Sequence, residues 1–145
     1  MRFWDSSALV PLLVVQPVSP EVRRWWAEDR AMALWSLTAV EVVSALQRLR
    51  REHAVTERQA LLAEGRLDEL LRPCHVVVEI EAVKQRARRL LRTHALRAAD
   101  ALQLAAALQW AASGPAGRTL YTFDARLGLA ARREGFAVLP DPAEQ

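Results

Sequence analysis

A chain of 145 residues with 52% hydrophobic and 26% charged side chains is the size of one ordinary domain and too apolar for a disordered or low-complexity segment. A single cysteine, Cys74, excludes an internal disulfide, argues against a cysteine-based zinc site and fits a reducing cytoplasm; no apolar helix reaches the roughly 18 residues of a membrane span, and Met1-Arg2 leads straight into structure without a signal peptide. The net charge is only +3, yet every basic residue except Lys84 is arginine, which pairs bidentately with phosphate and so permits a nucleic-acid partner without requiring one.

In chain order, Arg2-Phe3-Trp4 reads as a short strand that stops at Asp5-Ser6-Ser7, with a short apolar helix over 8–15 behind it. Ser19-Pro20-Glu21 opens a helix to about Asp29, with serine at the cap and proline in the first turn, and 31–35 is a second strand. Thr38-Ala39-Val40-Glu41 matches a capping box and starts a helix to about His53, whose end carries Arg48, Arg50 and Arg51. A second amphipathic helix over 56–71 completes a hairpin. Residues 75–78 are either a strand or the start of the next helix, which runs to Arg92 and carries Lys84, Arg86, Arg88, Arg89 and Arg92 on one face.

From Ala98 to Ala112 the only polar side chains are Asp100, Gln103 and Gln109. A helix apolar nearly all round belongs in the interior, so Asp100 is expected to enter it, where a lone carboxylate costs several kcal/mol without a partner. The loop 113–117 leads to a strand over 119–123 that ends at Asp124. A helix over 124–134, a stop at Gly135 and a last strand over 136–139 follow. One domain over 1–140 is expected, with a polar C-terminal tail over 141–145.

Strands alternating with helices imply a mainly parallel sheet with helices on both faces, and ligands in such folds sit at the carboxyl ends of the strands. Asp5 and Asp124 each stand where a strand hands over to a helix; Glu41 and Asp100 stand in first turns. Each acid has an ordinary capping role available. If the four converge instead, they cannot all ionise near neutral pH without a cation among them, and an all-oxygen set suits Mg²⁺ or Mn²⁺, the chemistry of metal-assisted phosphodiester hydrolysis.

Four segments together resemble the PIN-domain ribonucleases, specifically the VapC-type toxins of toxin–antitoxin pairs: Phe3-Trp4-Asp5-Ser6-Ser7-Ala8-Leu9, Thr38-Ala39-Val40-Glu41-Val42, Leu96-Arg97-Ala98-Ala99-Asp100-Ala101-Leu102 and Leu120-Tyr121-Thr122-Phe123-Asp124. Each is weak alone; the set, in this order and at this length, is specific. The resemblance implies a three-layer α/β/α sandwich with a short, mainly parallel sheet and a protruding helical hairpin. It also implies Mg²⁺- or Mn²⁺-dependent endoribonuclease activity, a homodimer, and a cognate antitoxin that inserts a segment into the acidic groove. Carried over by residue, Asp5 and Asp100 are the main metal ligands, Glu41 and Asp124 complete the catalytic set directly or through water, and Ser6 and Thr122 orient the carboxylates. Two departures stand out: Val14-Val15-Gln16-Pro17 lacks the acid that relatives often carry, and no acid closely follows Asp124, which leaves one- versus two-metal occupancy open.

Other readings compete. A haloacid-dehalogenase-like phosphatase wants an aspartate where Ser7 stands, and a receiver domain wants paired acids that the N-terminal stretch lacks. A PIN module that processes RNA outside any toxin pair, or one that binds RNA or protein without cleaving, shares the same segments. His53, His75 and His94 form no triad. Trp25 and Trp26 are candidates for base stacking or partner contact beside plain packing, and the 84–92 basic face for phosphate contact beside simple solvation.

Overall fold

Side-chain alternation along three-residue strands decides the architecture. In the computed structural model, which describes residues 1–141, Phe3 faces one core and Trp4 the other, Ala33 and Trp35 oppose Met32 and Leu34, and Leu120 opposes Tyr121. Both faces of the sheet are therefore buried, as parallel strands require. The described residues form β1 (Arg2–Trp4), α1 (Ser6–Leu13), α2 (Ser19–Glu28), β2 (Met32–Trp35), α3 (Thr38–Arg51), α4 (Glu57–Leu71), β3 (His75–Val77), α5 (Ile80–Thr93), α6 (Ala98–Trp110), β4 (Thr119–Tyr121), α7 (Ala125–Glu134) and β5 (Ala137–Leu139). All four strand pairings are parallel, in the order β3-β2-β1-β4-β5. Helices α1 to α4 cover the face that Trp4 enters, and α5 to α7 cover the other, so the expected three-layer sandwich is the fold. The tail expected after 140 lies, beyond Asp141, outside the described residues.

This strand order has one switch point. The chain runs outward from β1 through β2 to β3, then returns to the other side of β1 for β4 and β5. A crevice opens at the carboxyl ends of β1 and β4, where successive crossovers diverge. The register pairs Trp4 with Tyr121, and the next residues, Asp5 and Thr122, emerge side by side into that crevice.

Local chemistry moves several expected boundaries. Helix α1 starts at Ser6, not residue 8, because the Asp5 carboxylate accepts the Ser7 N–H and caps it. Ser19 is not the cap of α2. Its hydroxyl is buried, donates to the Pro11 carbonyl at 2.7 Å and accepts the Gln16 N–H, fastening the end of α1 to the start of α2. The capping box expected at Thr38 is absent as well: Leu37 is the N-cap of α3 without a side-chain bond, and Thr38 is fully buried. A complete capping box forms one helix later, between Thr56 and Gln59 of α4. Of the 75–78 segment, His75–Val77 forms strand β3 and Val78 lies outside it.

In the α3–α4 hairpin, Val42, Leu46, Ala63 and Leu67 join the core, while the tip around residues 52–54 is exposed. Helix α6 is the central helix its composition called for, with Ala101 and Leu104 to Ala107 wholly buried; its run of alanines lets α5 pack closely along it. Helix α7 ends at Gly135, whose φ of 104° is left-handed backbone that glycine adopts without cost. No helix among the described residues is long and apolar enough to cross a membrane.

Candidate functional site

Asp5 is the anchor of the crevice. It sits directly after β1 and is only 4% exposed, so its charge must be met by donors. Oδ1 accepts from Gln103 Nε2 at 2.9 Å, and Oδ2 accepts from Thr122 Oγ1 at 2.8 Å and from the Ser7 backbone and hydroxyl. Ser7 and Thr122 are fixed in turn, Ser7 Oγ taking the Phe123 N–H at 2.9 Å and Thr122 Oγ1 the Asp124 N–H at 3.0 Å. Carboxylate, hydroxyls and two chain turns thus form one network at the ends of β1 and β4.

Glu41, in the first turn of α3, looks into the same space. Ser6 Oγ bridges it to Asp5, at 3.2 Å from Glu41 Oε2 and 3.4 Å from Asp5 Oδ1. Gln103 Nε2 reaches it at 3.5 Å. Burial first, then the Asp5 charge, push the Glu41 carboxyl up to about 7, against the pull of the Ser6 and Gln103 donors; the Asp100 charge adds to the rise. Asp100 is raised too, by burial, then by Asp124, then by Asp5, with the Arg97 backbone N–H and the Arg97 charge opposing. Asp124 caps α7 by accepting the Leu127 N–H at 2.8 Å.

All four acids selected from the sequence line one open groove of about 730 Å³, together with Ser6. The ordinary capping role holds for Asp5 and Asp124, each of which caps a helix with one oxygen. It fails for Glu41, whose carboxylate turns to Ser6 and Gln103, and at Asp100 it is reduced to the Arg97 backbone N–H. The expectation that Asp100 is the deeply buried acid needs correcting. Asp100 is only half-buried, because the first turn of α6 reaches the groove, and Asp5 is the one sealed inside.

Gln103 is the residue that sequence reasoning passed over. It lies one turn beyond Asp100 on the same helix face, is 1% exposed, and accepts a bond from Thr38 Oγ1 at 3.2 Å while donating to Asp5. The signal was a lone glutamine in an apolar helix: a buried amide must be hydrogen-bonded, and its partners are a carboxylate and a hydroxyl of the same crevice. Thr38 explains its own missing cap in the same way, since its hydroxyl is committed to Gln103. Ser7, to which the sequence reading assigns no role of its own, joins Asp5 to the β4–α7 turn.

No three described His, Cys, Asp or Glu side chains stand close enough to enclose an ion by themselves. The donor set is nonetheless all oxygen, carboxylates and hydroxyls, and the Glu41 and Asp100 carboxyls are raised first by burial and then by the neighbouring acidic charges. Both properties fit a hard divalent cation that keeps several waters and takes one or two carboxylates.

A model of the PIN domain matches residues 2–133. The chain belongs to the PIN-domain family. Curated relatives agree: it is 34% identical over 138 residues to Ribonuclease VapC45 of Mycobacterium tuberculosis strain CDC 1551, covering 95% of this chain and 94% of the relative, and equally to Ribonuclease VapC49 of strain H37Rv. Among solved structures, FitAcB from Neisseria gonorrhoeae superposes with a TM-score of 0.67 at 21% identity over the whole of both chains. Mycobacterium tuberculosis VapC20, described as a sarcin-ricin loop cleaving toxin, does so with 0.63 at 19% identity over 90% of this chain and 95% of its own. These two likenesses establish the PIN α/β/α fold.

The remaining candidates fall outside the groove. His94 Nε2 lies 2.7 Å from Glu134, which also takes a bidentate contact from Arg89; with Lys84 paired to Glu81, part of the basic α5 face is engaged in surface ion pairs within the chain. Trp25 is a packing residue, stacked on Tyr121 with centroids 4.8 Å apart, whereas Trp26 is half-buried under the Arg30 guanidinium. Cys74 donates to the Leu70 carbonyl, and burial raises its thiol, which disfavours the nucleophilic thiolate.

Proposed function

We propose that this PIN-domain protein is a divalent-metal-dependent endoribonuclease, the toxin of a toxin–antitoxin pair, with its active site at Asp5, Glu41, Asp100 and Asp124. The observation that carries the reading is the convergence of those acids in one groove at the sheet's switch point, with Asp5 locked by Gln103, Ser7 and Thr122. The ribonuclease names of the curated relatives support it. So does the description of one structural neighbour as a toxin-antitoxin complex from Klebsiella pneumoniae.

Asp5 and Asp100 would hold Mg²⁺ or Mn²⁺, with Glu41 and Asp124 completing the shell directly or through water. When bound, the ion would activate water and stabilise the charge that develops on the phosphodiester. The chain's own part is orientation. Gln103 and Thr122 fix opposite oxygens of Asp5, and Ser6 ties Glu41 to it, so the carboxylates meet an ion without rotamer search. Residues 1–140 are read as one domain, supported by two core clusters that share a single sheet. The partners are an RNA substrate, a cognate antitoxin and a second copy in a homodimer, and the setting is cytoplasmic.

The test is cleavage of RNA by nuclease-free protein. Mn²⁺ or Mg²⁺ should support it, EDTA should abolish it, and Asp5→Asn should leave none. Undiminished cleavage in EDTA overturns the metal mechanism.

A further inference from the structure

The groove carries cations at both ends. On the α3 side Arg48 lines it with Glu41. The two are seven residues apart, two helical turns, so they leave one helix face about 10 Å apart along the axis. Past Asp100 and Asp124 the groove continues into a second hollow of about 420 Å³, lined by those same two carboxylates and by Arg97 and Arg126. Arg48 thus shares one hollow with all four acids, and Arg97 and Arg126 share the adjoining one with Asp100 and Asp124.

These arginines differ from several others in the chain. All three are exposed, and among the described residues none of their guanidinium groups makes a hydrogen bond or ion pair. Arg2 and Arg89 are spent on carboxylates, Arg132 on main-chain carbonyls, and Arg50, in the same last turn of α3 as Arg48, on Gln47. Arg48 and Arg126 instead stand beside an acidic cluster without pairing to it, and Arg97 acts on Asp100 through its charge alone, with no guanidinium hydrogen bond to it. Arg97 is the N-cap of α6 and Arg126 lies in the first turn of α7, at two helix starts whose dipoles are already met by Asp100 and Asp124, so the positive charge at this end is that of the two guanidinium groups. A cation at each end and carboxylates in the middle match a polyanionic strand whose central phosphate meets a metal and whose flanking phosphates need none.

We propose that an RNA strand lies across the groove with Arg48 holding a phosphate on one side of the acidic cluster and Arg97 and Arg126 holding a phosphate on the other. The proposal rests on the nuclease reading for its central phosphate and sets the path of the substrate through that site. Phosphate contacts fix register without reading sequence, so the two ends position the strand and leave base choice to other surfaces.

The experiment measures binding of a fluorescein-labelled single-stranded oligoribonucleotide by anisotropy in EDTA across a salt series, and KM for RNA cleavage in Mn²⁺. The proteins are wild type, Arg48→Gln, Arg48→Lys, Arg97→Gln/Arg126→Gln and the triple variant, all checked for native circular dichroism. Each Gln set should raise Kd and KM several-fold and flatten the salt dependence by about 0.7 in slope for each phosphate no longer neutralised. The two ends should combine multiplicatively, because they are separate. Arg48→Lys should keep most of the binding. Wild-type Kd, KM and slope in both Gln sets overturn the path, as does weakened affinity for an acidic protein partner with RNA affinity unchanged. A wild type that binds RNA in this arginine-dependent way but never cleaves it leaves the path standing and overturns the nuclease reading instead.

Discussion

Removing one carboxylate oxygen tests the site most directly. Asp5→Asn keeps the size of the side chain but turns an acceptor toward the Thr122 or Gln103 donors into an amide, and Asp100→Asn removes a charge at the groove wall. Induction of the wild-type chain without its antitoxin should arrest growth, and either variant should not; equal arrest by all three in a growth curve rules the site out. Glu41 supplies a pH test. Its ordinary value is 4.5 and its folded value about 7. A raised group contributes stability that is complete below pH 4.5 and lost as pH rises through 7. Metal-free wild type should therefore weaken across that window by an amount on the order of 2 kcal/mol, the full shift being discounted because solvent screens the exposed part of the carboxylate. Glu41→Gln, which cannot acquire the charge, should melt higher than wild type in EDTA at about pH 8 and no higher at about pH 4. Thermal melts at the two pH values check it, and a variant less stable than wild type at the alkaline end contradicts the crowding. The four acids were legible from the sequence because each follows a strand or opens a helix, a local signature. Gln103 was not, because its role depends on Asp5, 98 residues away.

At the level of elements, the two Ser/Thr-x-x-Glu/Gln patterns have different fates. Thr38-Ala39-Val40-Glu41 has the local form of a capping box, but the groove draws both side chains inward, Thr38 to Gln103 and Glu41 to Ser6. Thr56 and Gln59 stand at the exposed hairpin turn, where nothing competes, and the box closes. Thr56→Ala should accordingly cost about 1 kcal/mol of stability, the usual worth of an N-cap, with RNA cleavage unchanged in rate. A denaturant titration and a cleavage assay on the same preparation check both halves. The element boundaries that moved did so for the same kind of reason: α1 begins early because Asp5 caps it, and Ser19 gives up its cap to staple α1 to α2.

For the whole molecule, a cation that binds only the folded chain must stabilise it by mass action, about 2.7 kcal/mol when its concentration is roughly a hundred times Kd. Mn²⁺ should raise the wild-type melting temperature at neutral pH and raise that of Asp100→Asn much less. A wild type indifferent to Mn²⁺ in differential scanning fluorimetry contradicts a folded metal site. Asp100→Asn should also be the more stable protein in EDTA, since it sheds a charge that Asp124 and Asp5 repel while its amide oxygen can still accept the Arg97 N–H. By itself the sequence determined the α/β class, the strand and helix order, the apolar central helix and the acids at element ends, because two-residue and 3.6-residue periodicities and turn chemistry are local and survive without tertiary contacts. Only the tertiary structure decided that Asp5 rather than Asp100 is sealed from solvent, that Gln103 and Ser7 join Thr122 in holding it, and that Arg48 lines the acidic groove while Arg97 lines the hollow adjoining it at Asp100 and Asp124. Those relations depend on the β3-β2-β1-β4-β5 order and the Trp4–Tyr121 register, which set Asp5 within hydrogen-bond distance of Gln103, 98 residues on, and of Thr122, 117 residues on.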